Sequence, residues 1–303
     1  MFRSPEHTPP PTPPVELPPA RTLYAPGRGE LFLRDTGGDG PPVLLLHGWM
    51  TSADLNWWGS YAALVKAGYR VLAIDHRGHG RGLRSLLPFR LSDCAADAAA
   101  ALELLGAAPA TVVGYSMGGA IAQLVAHDHA EVVSGLVLSG TAHDWQDPKE
   151  RWFWRSMGLL WVTLALVPNW LWRHGLRQLG FRDAELGSWI ASELLRASAR
   201  DIAEAGREIG RFDSRSWIGS LPMPAAVVVT TNDTVVSPRK QRILAAALGA
   251  RVLEAPLGHL EVTKPRYVPA LLQAVESVAA VEPGVGLAAG EPATASRRSV
   301  GRP

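Results

Sequence analysis

Short runs of Val, Leu, Ile and Ala recur along the chain at residues 42–47, 69–75, 110–115, 132–139, 225–231 and 250–255. They do not alternate apolar with polar residues. Both faces of each strand must therefore be covered, as in a parallel sheet between helical layers. Ala-rich stretches of helical period lie between or after them, at 53–67, 92–106, 116–130, 238–249 and 264–280. Strand alternating with helix predicts an α/β fold, a mostly parallel doubly wound sheet. Two earlier runs, 21–25 and 30–35, are separated by Pro26-Gly27-Arg28-Gly29. They read as an antiparallel hairpin at the sheet edge.

The alternation stops near Thr141 and resumes near Leu221. The intervening segment has helical character and follows the sixth strand. An insertion at the carboxyl end of such a strand sits above the crevice where α/β sheets bind ligands. The pattern thus predicts a core of residues 21–140 and 221–280, with a helical, Trp-rich cap over 141–220. Residues 1–20, rich in Pro and Thr, are expected to form a disordered leader, and residues 281–303 a disordered tail.

Composition narrows the functions. Lys+Arg is 30 and Asp+Glu is 28, a net charge of +2, which gives no electrostatic case for nucleic acid. The single cysteine, Cys94, excludes an intramolecular disulfide and a thiolate cluster. The N-terminal residues lack the apolar stretch of a signal peptide. The longest apolar run, 157–167, is interrupted only by Thr163 and is shorter than the roughly 20 residues of a membrane span. A cytoplasmic protein is expected, with a peripheral membrane contact through the face of 157–167 as a further expectation. Of 11 tryptophans, Trp145, Trp152, Trp154, Trp161, Trp170, Trp172, Trp189 and Trp217 fall in the cap segment or at its end. Among them Trp154, Trp161 and Trp172 have enough apolar neighbours to read as core.

Four local signals carry chemistry. In Val112-Val113-Gly114-Tyr115-Ser116-Met117-Gly118-Gly119, a strand enters Gly-x-Ser-x-Gly and a helix follows. Such a turn exposes the serine hydroxyl at a helix N-terminus, so Ser116 is the candidate nucleophile. A second strand ends in His47-Gly48-Trp49. The backbone N–H groups of Trp49 and Met117 are the candidate oxyanion donors, and His47 reads as structural. Gly258-His259 follows the last strand; His259 is the candidate base, because a serine hydroxyl needs one. Asp233, between an apolar strand and the helix near Pro238, is the candidate acid behind the histidine, with Asp144 as its rival.

With these motifs on the page, the chain resembles the α/β-hydrolase fold family over about residues 21–280. The order Ser116, Asp233, His259 is similar to the family order of nucleophile, acid and base. His47-Gly48-Trp49 resembles its oxyanion loop. Asp75-His76-Arg77-Gly78-His79-Gly80 resembles its Asp-x-Arg-Gly-x-Gly loop, which in the family is structural support. The resemblance implies a serine hydrolase acting through an acyl-enzyme, without metal or organic cofactor. Carboxylic esters with an apolar acyl or alcohol group are the expected substrates. Cofactor-free perhydrolysis of haloperoxidase type, carbon–carbon or thioester hydrolysis, and acyl transfer use the same machinery and stay open. A non-catalytic binding protein on this fold is disfavoured by the complete set. Serine at the elbow disfavours epoxide and halide chemistry, which uses aspartate there.

Overall fold

The computed structural model describes residues 11–167, 175 and 184–279. Eight strands form one sheet: β1 (Ala20–Ala25), β2 (Gly29–Asp35), β3 (Pro42–Leu46), β4 (Arg70–Ile74), β5 (Ala110–Tyr115), β6 (Val133–Ser139), β7 (Ala225–Thr230) and β8 (Arg251–Ala255). Their spatial order is β1-β2-β4-β3-β5-β6-β7-β8. The hairpin β1–β2 joins β4 antiparallel, and every pairing from β4 to β8 is parallel.

The uninterrupted apolar runs explain the layers. Along a strand, successive side chains point to opposite faces. Leu44, Leu46, Val112, Leu136 and Leu138 enter one buried cluster, while Val43, Leu45, Val113 and Val137 enter another. The first cluster is closed by α3 (Leu91–Leu104) and α4 (Met117–Asp128). The second is closed by α1 (Ala53–Trp57), α2 (Tyr61–Lys66) and the last helix, Val268–Ala279. Each fully buried Leu or Val stabilises the fold by roughly 1.5–3 kcal/mol.

Chain order reverses between β3 and β5. From β3 the chain moves outward to β4, then returns across β3 to β5. The carboxyl ends of β3 and β5 therefore diverge into a crevice. The residues leaving them are His47 and Ser116.

Between β6 and β7 the described residues form four helices: α5 (Pro148–Arg155), α6 (Met157–Leu166), α7 (Ala184–Leu194) and α8 (Ala199–Arg211). Specific bonds tie them to the core. The Trp49 indole donates to the Ile202 carbonyl (2.8 Å), and the Ser198 N–H donates to the Gly78 carbonyl (2.8 Å). Arg81 makes two bonds to Glu193, at 2.9 and 2.7 Å.

Three expectations are corrected. The expected helix 53–67 is two helices, because the chain turns at Trp58–Ser60 between α1 and α2. The expected disordered leader of residues 1–20 is too long. The Pro18 carbonyl accepts from Arg34 (3.0 Å), the Pro19 carbonyl accepts from the Asp35 N–H (3.1 Å), and Ala20 is already in β1. Trp161 is exposed rather than core, whereas Trp145 and Trp189 are buried and Trp154 packs against the main cluster. Trp170, Trp172 and the tail 281–303 lie outside the described residues. None of the described helices is long and apolar enough to cross a membrane.

Candidate active site

Ser116 sits where β5 turns into α4, with φ 53° and ψ −118°. That is left-handed backbone on a non-glycine residue, which costs of order 1–3 kcal/mol and persists only when its surroundings impose it. The surroundings are visible. The Ser116 N–H donates to the Ser139 carbonyl (3.0 Å), and the Ser116 carbonyl accepts from Gly119 N–H (2.9 Å) and Thr141 Oγ1 (2.9 Å). A Cβ on Gly118 would run into the Leu46 carbonyl, and one on Gly114 into the Gly118 carbonyl. Only glycine lets the strand, the turn and the helix approach this closely.

His259 follows β8 and opens a short 3₁₀ turn, His259–Thr263. Its Nε2 lies 3.1 Å from Ser116 Oγ and its Nδ1 lies 2.8 Å from Asp233 Oδ2. Two contacts fix the backbone that carries the imidazole. The Tyr115 hydroxyl donates to the His259 carbonyl (2.7 Å), and Glu261 Oε2 accepts from the Gly258 N–H (2.8 Å).

Asp233 is buried, and both its carboxylate oxygens are occupied. Oδ1 accepts from the N–H groups of Val235 (2.8 Å) and Val236 (2.9 Å), and Oδ2 accepts from Thr230 Oγ1 (2.8 Å) as well as facing His259. Burial alone would raise its pKa. The hydrogen bond and charge of His259, with the donors at Val236 and Thr230, outweigh burial and hold the carboxyl below its ordinary range. Asp144 is elsewhere. Its carboxylate lies beside His143 (2.7 Å) and accepts from the Gln146 N–H (3.0 Å), and its backbone pairs with that of Asp213.

The loop after β3 faces the same crevice. Gly48 is pressed against Ser116 and Tyr115, where an added Cβ would come within 3.4 Å of the serine Cβ. The loop is fixed by His47, whose Nδ1 bonds the Gly48 carbonyl (2.8 Å) while Nε2 accepts from the His76 N–H (3.0 Å), so the proton sits on Nδ1. Asn56 Oδ1 accepts from the Gly48 N–H (2.9 Å). Met50 holds φ 65°, a second strained residue at the site. The N–H groups of Trp49 and Met117 have no acceptor among the described residues.

Above Ser116 and His259 lies a cavity of about 1070 Å³. Its walls are mainly apolar: Trp49, Leu55, Trp58 and Leu260 from the core, and Phe153, Trp154, Leu160, Leu186, Ile190, Leu194 and Ile209 from α5–α8. The sequence reading did not single out Leu186, Ile190, Leu194 or Ile209. They lie on helices whose facing depends on tertiary packing, and no motif marks them. Tyr115, Thr230 and Glu261 were also missed: Tyr115 bonds a residue 144 positions away, and the other two act through single bonds that no motif marks. Among the described residues no group of three His, Cys, Asp or Glu is placed to hold a metal ion.

A reversed-order parallel sheet with a strained serine at its switch point and an aligned histidine and aspartate defines a class, and the chain belongs to it: the α/β-hydrolase fold family. The sequence profile of that family matches residues 41–160. The chain is 30% identical over 240 residues to a putative non-heme bromoperoxidase, BpoC, of Mycobacterium tuberculosis H37Rv, covering 75% of this chain and 89% of the relative. The crystal structure of that protein superposes with a TM-score of 0.69 at 29% identity, covering 82% of this chain and 96% of the other. Over shorter stretches the chain is 41% identical to a non-heme haloperoxidase of Rhodococcus erythropolis (112 residues, 37% of this chain). It is 37% identical to a bifunctional esterase/perhydrolase of Acinetobacter calcoaceticus (111 residues, 36% of this chain). The match spans about 40% of the length of each of these last two.

Proposed function

We propose that the chain is a serine hydrolase of carboxylic esters carrying an apolar acyl or alcohol group. The observation that carries this reading is the unbroken line Ser116 Oγ, His259, Asp233 opening into an apolar cavity. Ser116 Oγ attacks the ester carbonyl as His259 Nε2 takes its proton. The Trp49 and Met117 N–H groups donate to the carbonyl oxygen as negative charge develops on it. One such donor contributes about 3–4 kcal/mol to the barrier in comparable sites. His259 then protonates the departing alkoxide, leaving an acyl group on Ser116. A water molecule, deprotonated by His259, attacks the acyl-enzyme and releases the acid. Asp233 remains ionised throughout and stabilises the imidazolium. Helices α5–α8 act as a cap whose apolar side chains receive the substrate chain.

Hydrogen peroxide in place of that water would yield a peracid by the same steps. The similarity to a non-heme haloperoxidase of Rhodococcus and an esterase/perhydrolase of Acinetobacter supports this second activity. Turnover of p-nitrophenyl acetate and p-nitrophenyl octanoate by wild type and Ser116→Ala tests the main reading. Wild type should prefer octanoate by at least about tenfold in kcat/KM, the size expected for several buried methylenes, and the variant should hydrolyse neither. Strict selectivity for acetate would sink the apolar preference. Acetate-dependent peracid formation that outruns ester hydrolysis at equal substrate would favour the second reading.

A further inference from the structure

Helix α6, Met157–Leu166, is apolar on every side: Met-Gly-Leu-Leu-Trp-Val-Thr-Leu-Ala-Leu. A helix with no polar face normally lies in a core or in lipid. This one is only half covered. Met157 and Leu164 are buried and Leu160 lines the cavity, so the 157/160/164 stripe packs inward. The opposite stripe, Leu159, Val162 and Leu166, faces outward at 71%, 49% and 75% exposure. Trp161, at the margin of the inward stripe, is 47% exposed, and Trp152 on α5 is 74% exposed. Exposed apolar area this concentrated on two adjacent helices marks an interaction surface.

Its occupant is indicated by what flanks and what underlies it. Arg151 and Arg155, one turn apart on α5, are exposed and have no carboxylate partner among the described residues; neither has Arg207 on α8. Tryptophan and leucine on one side with unpaired arginine at the rim is the composition of helices that lie in a bilayer interface, where acyl chains take the apolar side and anionic headgroups take the cations. The inward faces of the same two helices line the cavity over Ser116, through Phe153, Trp154 and Leu160.

We propose that the α5–α6 face docks on an anionic phospholipid surface and that the substrates are esters dissolved in that lipid, reaching Ser116 through the cavity the two helices wall. The second clause rests on the ester-hydrolase reading; the docking itself does not. The test is flotation of the full chain with vesicles of dioleoylphosphatidylcholine carrying about 30% dioleoylphosphatidylglycerol, and with phosphatidylcholine alone, a contrast that isolates the headgroup charge. Wild type should float with the anionic vesicles. Leu159→Glu/Leu166→Glu should bind at least about tenfold more weakly to both kinds, through loss of apolar insertion. Arg151→Gln/Arg155→Gln should bind about thirtyfold more weakly to the anionic vesicles alone, at roughly 1 kcal/mol for each of the two cations. None of these four side chains lines the cavity, so p-nitrophenyl acetate turnover by both variants should match wild type and report intact folding. Wild type left unbound by both kinds of vesicle overturns the proposal. So does equal flotation of wild type and Leu159→Glu/Leu166→Glu. Dimers in solution that this variant dissociates, without lipid binding, would assign the face to a second copy instead.

Discussion

At the residue scale, the site is a set of single atoms held by many bonds. Ser116→Ala should lower kcat for esters by about 10⁴–10⁶, since histidine and aspartate cannot compensate for a missing nucleophile. Residual turnover within tenfold of wild type would refute the assignment. The two candidate acids separate in the same assay. Asp233 Oδ2 faces His259 Nδ1 at 2.8 Å, whereas Asp144 lies beside His143. Asp233→Asn should therefore cost about 10⁴ in kcat by presenting the wrong donor to the ring. Asp144→Asn should stay within about threefold, as expected of a change away from the chemistry. Equal losses in the two variants would contradict the geometry.

At the element scale, the inserted helices matter through their anchor. Glu193 on α7 is buried and bonded twice by Arg81, while Leu186, Ile190 and Leu194 of the same helix wall the cavity. Arg81 also reaches Asp54 (3.3 Å). Arg81→Met leaves Glu193 with one cation, Arg196 (2.9 Å), and a long bond from Ser52 Oγ (3.5 Å), a loss of up to about 3 kcal/mol for a buried pair broken on one side. The expected result is a KM for p-nitrophenyl octanoate raised about three- to tenfold with kcat for p-nitrophenyl acetate little changed, a split that uniform destabilisation would not produce. Equal effects on both esters would contradict an anchoring role. This anchor was not legible in the sequence. Arg81 and Glu193 are 112 positions apart, and nothing local marks them as partners. The elbow and the loop after β3 were legible, because Gly-x-Ser-x-Gly and His-Gly are local answers to local steric demands. Trp161 misled for the converse reason: an apolar neighbourhood in sequence does not say which stripe of a helix is covered.

At the scale of the whole molecule, strands β3 to β7 could be read from unbroken apolar runs, because burial on both faces leaves a continuous signal, and the more exposed β1, β2 and β8 from turns and their place in the alternation. Strand order and the buried polar layer beneath the site could not. That layer predicts an acid sensitivity. His47, His76 and His79 pack together at tilted angles, with ring centroids 4.3 and 5.5 Å from His47, and are buried. Burial pushes His76 down to about 3 and His79 to about 4, and drives His47 well below its ordinary value, with the neighbouring histidines adding to its shift. A histidine whose pKa is lower folded than unfolded contributes stability that is complete above about 6.5 and is lost as pH falls toward its folded value. Asp75 opposes this. Burial raises it to about 6, so it favours the folded state as pH falls from about 6 to about 4. Three histidines against one aspartate leave unfolding taking up about two protons near pH 5. Urea midpoints should fall steadily from pH 7 to pH 4.5, and His79→Gln should flatten that slope. A midpoint independent of pH across this range would contradict the buried neutral layer.

Ser116 is the activated nucleophile on which the proposed chemistry depends. The most direct measurement is incubation with a fluorophosphonate followed by peptide mass spectrometry. The expected result is one phosphonyl adduct on the peptide containing Ser116, formed at least about a hundredfold more slowly in His259→Ala, as expected for loss of the base. An unlabelled protein, or an adduct elsewhere with Ser116 unmodified, would contradict it.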